Sequence, residues 1–172
     1  CDAIRSLRTG PVWDFSMKMG PLIREPNAAL RSGLEKLDPG EEWLIPPLQD
    51  KDNPLLWKPA LKWGVLPGSH THLTEFFGPL LAVLCAQNLE QAIEIANATG
   101  YGLTSGLESL DEREQQLWKE KIRAGNLYIN RPTTGAIVLR QPFGGMGLSA
   151  IGAGIKTGGP NYVQQFCRIS AL

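Results

Sequence analysis

"PLLAVLCAQNLEQAIEIANATGYGLTSGLESLDEREQQLWKEKIRAGNLYIN" runs from residue 79 to residue 130 and carries the most regular pattern in the chain. Its opening, "PLLAVLCA" (79–86), is a continuous apolar run and suits a buried strand. Asn88 then begins "NLEQAIEIANAT", with Gln91 placed to complete a capping box. Ala92, Ile93, Ile95 and Ala96 give this helix an apolar face, and Gly100 stops it. "GLTSGLES" (102–109) reads as a second strand. Ser109 and Glu112 form another capping box before "DEREQQLWKEKI", whose buried stripe is Leu117, Trp118 and Ile122. Gly125 opens "GNLYIN", a third strand. Strand, helix, strand, helix, strand with short connections predicts an α/β fold: right-handed crossovers and a parallel sheet with crossover helices. Ligands of such sheets gather beyond the carboxyl ends of the strands. The segment "INRPTTGAIVLRQPFGG" leaves that end of the third strand, so it is a candidate site loop on geometry alone.

Working outward, the preceding half is heavily punctuated. Two Gly-Pro pairs, Gly10-Pro11 and Gly20-Pro21, signal turns. Asn27 can cap a helix through "AALRSGLEKL", which Asp38, Pro39 and Gly40 bring to a stop. Prolines at 46, 47, 54, 59 and 67 forbid long regular elements. Trp43, Trp57 and Trp63 read as aromatic anchors of short strands in a loop-rich layer. At the other end, "GAGIKTGGPNYVQQFCRISAL" is glycine-rich and then alternates as an edge strand would. An apolar edge strand usually pairs with something, often another subunit.

Composition narrows the classes. The chain has 172 residues, 42% of them hydrophobic and 20% charged, which predicts a packed core and not disorder. Lys plus Arg and Asp plus Glu both number 17, so nothing draws it to nucleic acid or an anionic membrane. No apolar run reaches the roughly 20 residues of a membrane span, and the N-terminal residues lack a signal-peptide core. Cys1, Cys85 and Cys167 have no framework spacing, which points to a reducing compartment and a cytoplasmic location. Cys85 and Cys167 read as buried small hydrophobes. His70 and His72 in "SHTHL" lack a third ligand at metal spacing and read as solvent-exposed strand-end residues, so no metal is expected.

"GMGLSA" (145–150) invites a phosphate-loop reading, which its context argues against. It follows "QPF", more glycine succeeds it, and no acidic residue follows. A Walker-type loop fails as well, because Ile155 and not glycine precedes Lys156-Thr157. These glycines serve tight turns and close backbone approach.

"TEFFGP" (74–79), "GNLYINR" (125–131) and "QPFGGMGLS" (141–149) together resemble the C-terminal part of the NAD(P)-dependent aldehyde dehydrogenase superfamily. "TTGAIVLRQPFGG" and "GAGIKTGGPNYV" are similar to its L-glutamate γ-semialdehyde (1-pyrroline-5-carboxylate) dehydrogenase branch, which includes the dehydrogenase half of bifunctional proline-utilisation proteins. The resemblance implies NAD as cofactor and oxidation of the semialdehyde to glutamate. It implies that Glu75 holds the nicotinamide ribose hydroxyls, where a carboxylate accepts short charge-assisted bonds. It places Phe77 beside the nicotinamide and makes Phe143 an aromatic wall of the aldehyde pocket. Gly135 and Ala136 match the loop whose backbone N–H groups grip the substrate carboxylate, and successive amides do form anion-binding concavities. Each residue also has a structural alternative: a capping carboxylate for Glu75, core packing for Phe77 and Phe143.

In this family the nucleophilic Cys and the general base precede the matched region, and neither Cys1 nor Cys85 has the nucleophile's sequence context. The chain therefore resembles a C-terminal fragment, inactive alone. Residues 1–160 would belong to the catalytic domain and residues 161–172 would form a C-terminal oligomerisation strand of a homo-oligomer. Three other readings stay open: a non-catalytic assembly or interaction fragment of the same fold, a dehydrogenase for another aldehyde class, and a small nucleotide-binding module based on the glycine run near Gly145.

Overall fold

The computed structural model describes residues 1–137, 139–152, 155–160, 162–168 and 170. The chain forms two compact units, Cys1–Cys85 and Ala86–Leu172.

The first unit contains α1 (Asp2–Arg5), α2 (Ala28–Glu35), β1 (Glu42–Ile45), β2 (Leu48–Gln49), β3 (Trp57–Lys58), β4 (Ala60–Trp63), α3 (His70–Leu73) and β5 (Leu80–Ala82). The Asn27 side chain accepts from the Leu30 amide and starts α2 where the sequence places the cap. Leu30 and Leu34 then fall on one face and meet Ala60 and Phe76 in the core, with Trp43, Trp57 and Leu80 packed around them. Trp43 and Trp57 are thus anchors as read, while Trp63 is half-exposed. A three-stranded sheet runs β1-β4-β5, with β1 antiparallel and β5 parallel to β4.

The centre of that sheet is polar. Lys62, in β4, is 1% exposed and donates to Glu41 Oε2 at 2.9 Å and to Thr71 Oγ1 at 3.0 Å. Its ammonium also lies 5.2 Å from the Trp43 ring centroid. Burial pushes the Glu41 carboxyl up, but hydrogen bonds from Thr71, Lys62 and the Asp38 amide outweigh it and hold the pKa below the usual carboxylate value.

The second unit contains α4 (Leu89–Ala98), β6 (Tyr101–Gly102), β7 (Thr104–Leu107), α5 (Glu112–Lys121), β8 (Asn126–Ile129), β9 (Met146–Gly147) and a 3-10 turn, Val163–Phe166. Asn88 caps α4 by accepting from the Gln91 amide at 2.9 Å, and Gln91 Oε1 accepts in return from the Gln87 amide. Ile93 and Trp118 carry the buried faces of α4 and α5. Asn97 stitches the helices together, donating to the Lys121 carbonyl and accepting from the Arg123 amide. β7 and β8 pair in parallel across the α5 crossover, from Thr104↔Asn126 to Leu107↔Ile129.

Several expectations need correction. The three strands of the 79–130 segment do not form one parallel sheet: β5 pairs with β4, and β8 pairs with β7. The described residues form several small sheets, of which β1-β4-β5 is mixed, β2-β3 and β6-β9 are antiparallel and β7-β8 is parallel, because an apolar run marks a strand without naming its partner. The α5 cap is Asp111, which accepts from the Arg113 amide, while Ser109 accepts from the Asp111 amide two residues too early to cap. Cys85 is exposed because β5 ends at Ala82, before the apolar run does, and Cys167 is exposed as well. His70 and His72 lie on α3 and not at a strand end. His72 is buried, its Nδ1 accepting from the Gly68 amide at 2.9 Å. In the expected C-terminal strand, Val163–Phe166 winds into a 3-10 turn. A lone edge strand has no ladder partner within one chain, so local hydrogen bonds take over. Residues 161, 169, 171 and 172 of that segment lie outside the described residues.

Candidate functional site: an anchor loop and cleft

In the second unit, Asn130 decides where the chain goes after β8. It adopts φ 53°, which Asn tolerates better than most residues, and its side chain accepts from the Ser109 amide and donates to the Ser109 carbonyl, both at 2.9 Å. This lock turns the backbone out of the sheet and into the 131–137 loop. Arg131 lies over the Tyr128 ring, 4.8 Å from its centroid, and the buried Tyr128 hydroxyl donates to Gln141 Oε1 at 3.3 Å.

The loop returns along the Gln141–Gly145 stretch, which docks on β8. Asn126, 2% exposed, donates to the carbonyls of Leu103 and Gly144. The docking is so close that a Cβ on Gly125 would overlap the Gly144 carbonyl oxygen, and one on Gly144 would lie 2.5 Å from the Ile155 carbonyl oxygen. Glycine is required at both positions. Phe143 is fixed in turn by Thr157: each amide donates to the other's carbonyl at 2.8 Å, and the Thr157 hydroxyl adds a bond to the Phe143 carbonyl at 2.9 Å.

Between loop and return lies an open cleft of about 520 Å³, lined among others by Thr104, Thr133, Gly135, Ala136, Phe143 and Thr157. The structure therefore brings Gly135, Ala136 and Phe143 together on one cavity. Gly135 has φ +88°, and among the described residues a Cβ there would meet nothing within 4 Å. The position is one that a side chain would occupy only in a disfavoured backbone conformation. Such an exposed pair of successive peptide groups can receive an anion, and threonine hydroxyls on the same walls can add donors or acceptors.

The first unit holds the other two residues. Phe76 turns into the core and meets His70 edge-on at 5.9 Å. Its neighbours go the other way: Glu75 is exposed, and Phe77 is 80% exposed at φ 51°. Phe77 does not pack in the core, and Ser69, not Glu75, caps α3. The motif thus exposes a carboxylate and an aromatic ring two residues apart, groups able to accept hydrogen bonds from hydroxyls and to stack on a ring.

The "GMGLSA" stretch is structural. Met146–Gly147 pairs antiparallel with Tyr101–Gly102, and Ser149 Oγ accepts from the Gly102 amide at 3.1 Å. No group of three or more metal-ligating side chains occurs among the described residues. The cleft residues that the sequence reading missed are Leu103, Thr104, Thr157 and Gly158. Thr157 is fourteen residues from its partner Phe143, and no local pattern announces that pairing.

The aldehyde dehydrogenase family model matches residues 1–172, and the chain belongs to that family. Within it, the chain is 35% identical over 162 residues to the 1-pyrroline-5-carboxylate dehydrogenase of Geobacillus sp. (strain WCH70), covering 92% of this chain and 31% of that protein. The solved structure of proline utilization A (PutA) from Corynebacterium freiburgense matches with TM-score 0.91 and 52% identity, covering 95% of this chain and 17% of that one. A 1-pyrroline-5-carboxylate dehydrogenase from Thermus, solved with bound NAD, matches with TM-score 0.80 and 30% identity, covering 96% of this chain and 32% of that one. The chain spans about a third of the length of the curated relative named here. Among the described residues, no helix is long and apolar enough to cross a membrane.

Proposed function

We propose that this chain supplies the substrate-anchor and cofactor-contact parts of a longer NAD-dependent dehydrogenase that oxidises L-glutamate γ-semialdehyde (1-pyrroline-5-carboxylate) to L-glutamate in proline breakdown. The observation that carries the reading is the cleft lined together by Gly135, at φ +88° with no described residue within 4 Å of a Cβ there, Ala136 and Phe143. In this reading the amides of Gly135 and Ala136 hold the substrate carboxylate, and the Phe143 ring bounds the aldehyde end. Glu75 accepts from the nicotinamide ribose hydroxyls, and Phe77 rests against the nicotinamide. A bulky residue at positive φ is a conformational outlier of the kind that collects at ligand sites, which supports a contact role for Phe77. When bound, NAD supplies the hydride acceptor. The thiol nucleophile belongs to the part of the enzyme preceding this chain. The three cysteines here are all free, in keeping with a reducing, cytoplasmic setting. Residues 1–160 belong to the catalytic domain. Residues 161–172 are an assembly segment that becomes a strand on pairing with a second subunit.

The test compares this chain alone with the full-length enzyme, each given NAD and the semialdehyde, by the absorbance of reduced nicotinamide. Turnover is expected from the full-length enzyme alone. Turnover by the isolated chain that disappears on mutating Cys1, Cys85 or Cys167 would overturn the assignment of the nucleophile to the preceding part.

A further inference from the structure

We infer that Lys156 is a positioning residue for the aldehyde end of the cleft, acting through Phe143; the inference rests on the substrate-cleft reading above. Lys156 directly precedes Thr157, the residue that exchanges two backbone hydrogen bonds with Phe143. Its Nζ donates to the Gly125 carbonyl at 2.7 Å, at the entrance to β8, and to the carbonyl of Gly144, which directly follows Phe143. One ammonium thus ties both sides of the Phe143–Thr157 bridge to the strand that carries the anchor loop. The backbone of Lys156 is held as well. Its amide donates to Gln165 Oε1 and its carbonyl accepts from Gln165 Nε2, both at 2.8 Å.

The chemistry is unusual for a lysine. Its side chain is half-buried, and burial draws its pKa below the ordinary lysine value. No ion pair to Lys156 occurs among the described residues. Placing a cation against two carbonyls and no carboxylate costs desolvation without charge neutralisation. What the arrangement provides is geometry, since charge-assisted bonds hold two backbone segments that glycines alone would leave loose. Phe143 lies on one of those segments, directly before Gly144.

The experiment uses the full-length enzyme with Lys156→Met and Lys156→Arg. KM and kcat are measured for glutamate semialdehyde and for propanal, and NAD affinity by fluorescence. Lys156→Met is expected to raise KM for both aldehydes by about tenfold, as for loss of a charged hydrogen bond, with kcat less affected and NAD affinity unchanged. Lys156→Arg, which keeps the charge and several donors, should recover most of that loss. Unchanged KM for both aldehydes overturns the inference, and so does an Arg variant as impaired as the Met variant. A rise for the semialdehyde alone also overturns it, because Lys156 would then act on the carboxylate anchor and not on Phe143. Failure of the underlying cleft reading is recognised separately, by a Gly135 variant that affects both aldehydes equally. If Lys156→Met does not accumulate, Lys156→Gln keeps one neutral donor and is expected to give an intermediate KM; wild-type KM in that variant overturns the inference.

Discussion

Replacing Gly135 with alanine adds one methyl group at a point where, among the described residues, no atom lies within 4 Å. Those residues impose no direct steric cost, and two effects remain. The first is conformational: φ +88° is unfavourable for an L side chain, by about 1–2 kcal/mol. The second depends on the ligand, because the methyl occupies the space in which a carboxylate would approach the amides of Gly135 and Ala136. Losing one charge-assisted hydrogen bond there costs about 1.5–3 kcal/mol, which at about 1.4 kcal/mol per decade is roughly 10- to 150-fold in rate. The conformational cost applies to every substrate and cancels in a ratio. In the full-length enzyme, Gly135→Ala is thus expected to lower kcat/KM for glutamate semialdehyde about 10- to 150-fold more than for propanal, which carries no carboxylate. Steady-state rates from reduced-nicotinamide absorbance give both values. Equal losses would mean that the loop is merely distorted, and an unaffected semialdehyde rate would mean that the carboxylate is held elsewhere.

Glu75→Gln keeps the shape of the exposed side chain but removes its charge and one acceptor, so single-turnover hydride transfer should slow by about 1–3 kcal/mol in barrier; an unchanged rate removes Glu75 from the cofactor site. Deleting residues 162–172 is expected to lower the oligomeric state of the full-length enzyme, read by sedimentation; an unchanged subunit number assigns assembly to another surface. Glu41→Gln leaves the buried Lys62 without its carboxylate and should cost about 3–5 kcal/mol near neutral pH. Because the folded Glu41 carboxyl titrates below its usual value, wild-type stability from this group is present above the unfolded carboxyl pKa and is lost as pH falls through the folded one. The urea midpoints of wild type and Glu41→Gln should therefore converge in acid; a constant gap would contradict the charged pair.

How much of this was legible depends on the range of the interaction. Helices α2 and α4 were readable because their caps, Asn27 and Asn88, act within three residues and their apolar faces repeat locally. β8 was readable because an apolar strand follows a glycine. β4 was not, since "ALKW" follows a proline and contains a lysine, the residue least expected in a core. Its burial depends on Glu41, twenty-one residues earlier. The partner of β5 was missed for the same reason, because the parallel pairing of Ala60 with Leu80 is a long-range choice. At the site, the anchor loop was placed by its position after a strand and by family resemblance. The walls contributed by Thr104 and Thr157 depend on how the chain folds back, which no local motif encodes.

The most direct measurement is a crystal structure of the full-length enzyme with NAD and glutamate bound. The glutamate carboxylate is expected within hydrogen-bond distance of the Gly135 and Ala136 amides, with the reacting end against Phe143, Glu75 on the nicotinamide ribose and Phe77 against its ring. Glutamate held by other groups, with those two amides turned to solvent, would contradict the assignment of this chain as the substrate-anchor part of a semialdehyde dehydrogenase.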